Sequence, residues 1–172
     1  DLTSSDVIDK SKNLNIPMLM SAVGKNEEAL EFRYKHIKKA YDSGRKIIAI
    51  SQSKDQLKLL ASRFEHSALI IRETDPKERT KMVRESRIAF VISKLGLEGL
   101  DDIYLDTLFF LSPLSGDKKL GPNGIEYLGN RITQGLGRIL RSAEKNTPLV
   151  VFFDDVKINP LHYLCNQVKR FL

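Results

Sequence analysis

The sequence predicts an α/β domain with a mainly parallel central sheet and helices on both faces. Three observations predict it. Short, nearly unbroken apolar runs recur at 46–51 (KIIAIS), 68–71 (ALII), 88–92 (IAFVI), 107–111 (TLFFL) and 148–153 (PLVVFF). Runs of that length without polar alternation suit strands buried on both faces. The stretches between several of them carry helical periodicity, and helix-capping residues open or close them. Alternation of this kind implies βαβ units with right-handed crossovers.

Residues 1–25 are polar apart from IPMLM at 16–20, and read as a lead-in or linker that packs one short segment onto the body. The domain proper is then 26–172. Its first helix, about 26–42, places Leu30, Tyr34, Ile37 and Tyr41 on one face, and Ser43-Gly44 ends it. The strand at 46–51 turns through Gln52 and Ser53 into a helix over about 54–64, with Leu57, Leu60 and Phe64 inward. After the strand at 68–71, Asp75 caps a helix that Pro76 opens. That helix, about 77–85, is very basic, with Lys77, Arg79, Lys81 and Arg84. Its two readings are a nucleic-acid contact and a solvated face. The strands at 88–92 and 107–111 come next. Residues 114–129, with four glycines, a proline and two lysines, have the composition of a long mobile connection. A helical stretch around Gln134, the strand at 148–153 and a last helix over about 161–172 complete the chain.

A length of 172 residues suits one domain with a full core and is short for two. The formal net charge of +6 favours a polyanionic partner. The lone cysteine, Cys165, excludes an internal disulfide and reads as a buried structural thiol in a reducing compartment. No apolar run approaches a membrane span and no signal peptide opens the chain, so the expected setting is intracellular, with no membrane partner. Because it starts at Asp1 rather than Met, the chain is expected to be a piece of a longer protein.

Several chemistries find no support. No G-x-x-x-x-G-K-[ST] occurs, and Gly24-Lys25-Asn26 lacks both the earlier glycine and the hydroxyl. Residues 149–156 (LVVFFDDV) imitate a Walker B strand; without a P-loop before them, Asp154 and Asp155 read as strand-ending residues that cap the next segment. His36, His66 and His162 are widely spaced and fit no metal pattern, so no metal site is expected. No Ser-His-Asp or Cys-His arrangement emerges.

In open parallel sheets, ligands bind beyond the carboxyl ends of the strands. Ser51, Gln52, Arg72, Ser93, Lys94 and Ser112 fall at those ends. They line one rim with hydroxyls, an amide and cations, a set suited to a sugar-phosphate backbone. The stretch 130–141 (NRITQGLGRILR) carries a different signal. As a helix it places Gln134, Arg138 and Arg141 on one face. Arginines three apart repel mildly, and a polyphosphate on that face would relieve them. Gly135 and Gly137 each cost about 1 kcal/mol against Ala in a helix interior. A close approach to the backbone there would account for that cost. The other reading is a surface helix whose arginines pair with carboxylates.

Residues 134–141 (QGLGRILR) resemble motif VI of superfamily 2 helicases, the Q-x-x-G-R-x-x-R pattern. Residues 92–101 (ISKLGLEGLD) resemble motif V, and the two stand in the family's order. The resemblance spans about 46–170 and implies the second RecA-like domain of such an enzyme, a three-layer domain. It implies an ATP-dependent helicase or translocase with magnesium, the nucleotide being bound mainly by an N-terminal RecA-like domain of the same polypeptide. Arg141 matches the arginine finger and Arg138 its companion. Gln134 matches a residue lining the nucleotide site, and Gly99 and Asp101 the motif V pair. Ser93 stands where the family has the Thr that touches a nucleic-acid phosphate, and Ser51 and Gln52 stand at the motif IV position. The lettering leans toward repair-type and viral DNA helicases, so DNA is favoured over RNA and a viral replication site joins cytoplasm and nucleus as a setting. Motif V continues Asp101-Asp102-Ile103 where the family has Asp-Ile-Pro, and Leu140 stands where many relatives have Gly. The alternatives are a non-catalytic nucleic-acid-binding module and a domain binding a small phosphorylated ligand at 96–99.

Overall fold

A computed structural model of the chain describes residues 15–93, 95, 104–114, 130, 133, 137 and 146–170. The five apolar runs are strands: β1 (Ile47–Ser51), β2 (Ser67–Ile70), β3 (Ile88–Ile92), β4 (Thr107–Phe110) and β5 (Leu149–Phe152). They form one sheet in the order β2-β3-β1-β4-β5, and every pairing is parallel. Register is even across it, Ile47 facing both Ile88 and Thr107, which in turn faces Leu149.

The described helices are α1 (Ile16–Lys25), α2 (Glu27–Asp42), α3 (Lys54–Ala61), α4 (Pro76–Glu85) and α5 (Asn159–Lys169). Successive strand residues point to opposite faces, so each buried strand feeds two cores. Ile47, Ala49, Ile88, Phe90 and Phe109 pack with Leu30 and Ile37 of α2 and Leu57 and Leu60 of α3. Ile48, Ile50, Ala89, Val91, Leu108 and Phe110 pack with Val83 of α4 and Val168 of α5. α3 leads from β1 outward to β2, and α4 leads back inward to β3. Crossovers of one hand that run in opposite directions must lie on opposite faces, and these do.

The segment expected as a lead-in contains α1. Asn15 caps it, its Oδ1 accepting the Met18 N–H at 3.1 Å. Leu19, Met20 and Val23 form a third cluster with Leu161 of α5. Asn26 ends α1 and caps α2 through the Ala29 N–H, at 2.9 Å. Asp75 and Pro76 open α4 as the sequence suggested. Gly44, after α2, has φ +80°, a conformation that favours glycine.

Candidate functional site at the carboxyl rim

β1 is the central strand and its end organises the rim. The Ser93 N–H donates to the Ser51 carbonyl at 2.8 Å, and the Leu111 N–H to the Ile50 carbonyl at 2.8 Å. The segments after β1, β3 and β4 are thereby stitched side by side. The Ser51 hydroxyl donates to Gln56 Oε1 at 2.7 Å and accepts the Ser53 N–H at 3.0 Å. Ser112 Oγ lies 3.4 Å away and accepts the Gln52 N–H at 3.0 Å. Gln52 is half-buried, its Nε2 donating to the Pro113 carbonyl at 3.2 Å. Ser53 then caps α3, accepting the Gln56 N–H at 3.3 Å.

Ser51 has no exposed surface and Ser93 only 4%. Ser51 spends its hydroxyl on the loop that presents Gln52. Arg72 is exposed in the turn after β2, which the Thr74 hydroxyl closes by accepting the Ile71 N–H at 3.0 Å. Lys54, at the start of α3, pairs with Glu73 of that turn and holds its carboxyl below the usual range. The structure therefore brings Ser51, Gln52, Ser93 and Ser112 together and sets Arg72 apart on the turn after β2. Lys94, Gly99, Asp101, Gln134, Arg138 and Arg141 lie outside the described residues, as does the connection at 115–129. Asn130, Thr133 and Gly137 are helical. A Cβ built on Gly137 would meet nothing within 4 Å.

The chain reverses direction at this rim. β1 connects outward through α3 to β2, while its neighbour β4 connects the other way to β5. Strand ends at such a reversal are the usual binding place of an open α/β sheet, and Gln52 and Ser112 lie there.

The Walker-B-like pair has other partners, and neither carboxylate is a cap. α5 has Ile158 at its N-cap and no side-chain cap. Asp155 receives the Arg33 guanidinium through both oxygens, at 2.8 and 3.1 Å. The Arg33 side chain is only 3% exposed; its Nε also donates to the Leu111 carbonyl at 2.9 Å, and it stacks on Phe153, 5.3 Å from the ring centre. The sequence reading missed this residue. Its signal was position: Arg33 lies between Leu30 and Ile37 on the apolar stripe of α2, where an unpaired charge is not tolerated. Asp154 accepts from Lys169 and makes a 2.8 Å contact with His162 Nδ1. Burial alone would push its carboxyl up; hydrogen bonds from Lys169 and His162 outweigh that and hold it down. Burial, reinforced by the charge of Asp154, pushes the Cys165 thiol up, which suits a structural thiol. Among the described residues no cluster of His, Cys, Asp or Glu could hold a metal, and no helix is long and apolar enough to cross a membrane.

The fold is that of known solved structures. The chain is similar to the C-terminal part of the Fun30 ATPase domain, with a TM-score of 0.57 and 14% identity over 81% of this chain and 47% of that one. It is similar to the Pyrococcus furiosus Hef helicase domain, with a TM-score of 0.50 and 16% identity over 87% of this chain and 31% of that one. A structure of Mss116p DEAD-box helicase domain 2 bound to an RNA duplex matches at TM-score 0.48 and 17% identity, over 73% and 50%. At these identities the likeness is one of fold, a RecA-like α/β domain. The chain spans half or less of each of these structures. No protein-family model and no curated protein sequence matches it.

Proposed function

We propose that the chain is the second RecA-like motor domain of an ATP-dependent superfamily 2 nucleic-acid helicase or translocase. The observation that carries the reading is the stitching of the rim. The segment after β1 stands at the position of motif IV and the segment after β3 resembles the start of motif V. The strand order makes β1 and β3 neighbours, and the Ser93 N–H to Ser51 carbonyl bond joins the two segments at 2.8 Å. A nucleic-acid backbone crossing the rim would meet Gln52, Lys94 and Arg72, with the buried Ser51 and Ser93 beneath them. Such contacts go to phosphates and carry no sequence, as a motor that moves over any sequence requires. DNA is the favoured strand on the motif lettering.

ATP is a substrate shared with a P-loop-bearing partner domain. From this chain, Gln134, Gly99 and Asp101 line the nucleotide side, and Arg138 and Arg141 meet the charge that develops on the transferred phosphoryl group. The described residues do not fit a magnesium ion, because Asp154 and Asp155, which imitate its ligand, are committed to Lys169, His162 and Arg33. Magnesium belongs with the partner domain in this reading.

The test is steady-state ATP turnover of the purified chain with and without single-stranded nucleic acid. None is expected, since no P-loop is present to hold the β- and γ-phosphates. A polypeptide that joins the chain to its P-loop domain should show stimulated turnover. Stimulated turnover by the chain alone would overturn the reading.

A further inference from the structure

The basic helix α4 had two readings in the sequence, a nucleic-acid contact and a solvated face. Its surroundings separate them. Lys77, Lys81 and Arg84 are all exposed and lie at i, i+4 and i+7, so they share one stripe of the helix. Glu78 and Glu85, also exposed, lie on a neighbouring stripe about a quarter turn away. Val83 faces the core from the other side.

The cations around this stripe are already spent. Arg79 donates through Nε and Nη2 to the Thr74 carbonyl, at 3.1 and 3.0 Å. Lys46 donates to the Arg84 carbonyl at 2.9 Å and to the Ser86 carbonyl, closing the end of the helix. Lys54 pairs with Glu73, in the turn that leads into α4. The side chains of Arg72, Lys77, Lys81 and Arg84 have no carboxylate partner among the described residues. Arg72 stands at the β2 end of the rim, where α4 begins three residues past Glu73, and the stripe runs from Lys77 to Arg84 down the outer face of the helix, a rise of about 10 Å. Unpaired cations in a row, beginning where the rim ends, match the charge and spacing of a phosphate backbone better than a surface left to water.

We propose that the Lys77-Lys81-Arg84 stripe of α4 is a second phosphate-binding track, which carries a nucleic-acid strand off the rim past Arg72 and along the sheet edge nearest β2. The inference rests on the reading of the chain as a nucleic-acid-binding domain, and adds to it a track on a helix that none of the motifs reaches. The contacts are electrostatic and indifferent to sequence.

The test is salt-dependent binding of a single-stranded oligo-dT probe to the whole chain. Lys77→Ala, Lys81→Ala and Arg84→Ala combined should lower the log–log salt slope by about 2, roughly 0.7 for each phosphate released. All three side chains are exposed, so the thermal melt should not move. A control removes the same charge from elsewhere: Lys35→Ala, Lys39→Ala and Lys157→Ala, all exposed and none on α4. A slope unchanged by the stripe variant, or lowered equally by the control, would overturn the track. Gln52→Ala with Arg72→Ala probes the rim separately. If the rim variant is silent while the stripe variant lowers the slope, the rim assignment fails and the track stands; the opposite pattern removes the track and keeps the rim. A parent chain that does not bind the probe removes both.

Discussion

A guanidinium that leaves water needs acceptors for its N–H groups, and Arg33 has one at each nitrogen. Nε is met by the Leu111 carbonyl, one Nη by the Ala29 carbonyl and the other by both Asp155 oxygens. The result ties α2 to the ends of β4 and β5, just behind the rim. Removing one partner of a buried pair strands the other, which costs about 3–5 kcal/mol. Arg33→Ala is therefore expected to lower unfolding stability by about that amount in urea titrations. Arg33→Lys should recover little, because a point charge cannot reproduce the planar fork. Pairing Arg33→Met with Asp155→Asn should restore part of the loss, since neither charge is then left alone. An Arg33→Ala protein as stable as its parent would mean that water reaches Asp155 and that the pair is not structural.

At the scale of elements, two glycines separate packing from exposure. Gly24 ends α1 against the start of α3, where an added Cβ would come within 3.0 Å of both Ser53 Oγ and Gln56 Cβ. Those are the cap of α3 and the side chain that orders Ser51. Gly24→Ala should destabilise by about 1–3 kcal/mol, the usual cost of overpacking. Gly137 is also helical, but open space surrounds its Cβ position. Gly137→Ala should raise stability by up to about 1 kcal/mol through helix propensity. Thermal melts of the two variants should move in opposite directions, and equal shifts would contradict the packing described. The same comparison shows what a sequence reader can and cannot see. β1 and β3 were legible because burial on both faces leaves an unbroken apolar run. α1 was not, because its apolar face is short and its helix is justified by Leu161 and by a glycine contact with residues far along the chain. The rim positions were legible from where the apolar runs end. That Ser51 turns inward was not, because it depends on Ser112, brought near only by the β1–β4 pairing, and on Gln56. Arg33 was hidden by its own chemistry, since a charge on a helix reads as solvated until its partner is known.

On the proposed reading, the whole molecule is one half of a cleft. A parallel sheet sets the carboxyl ends of all its strands on one side, and this one reverses direction between β1 and β4; the sequence has no G-x-x-x-x-G-K-[ST] loop to cradle a triphosphate there. If the proposal holds, the decisive group is Arg141, because its work is done only when a partner domain closes over the nucleotide. An arginine aimed at charge that develops in the transition state contributes little to ground-state binding. In a protein that joins this chain to a P-loop domain, Arg141→Ala should lower kcat by about 10³-fold or more, with KM changed only modestly. Arg141→Lys should rescue little, for the reason given for Arg33. Folding should be unaffected if the side chain faces the cleft, so the melts of both variants should overlay that of the parent. Stimulated ATP turnover measured beside those melts decides the matter. A well-folded Arg141→Ala protein with near-normal kcat would leave the motif VI resemblance without a mechanism.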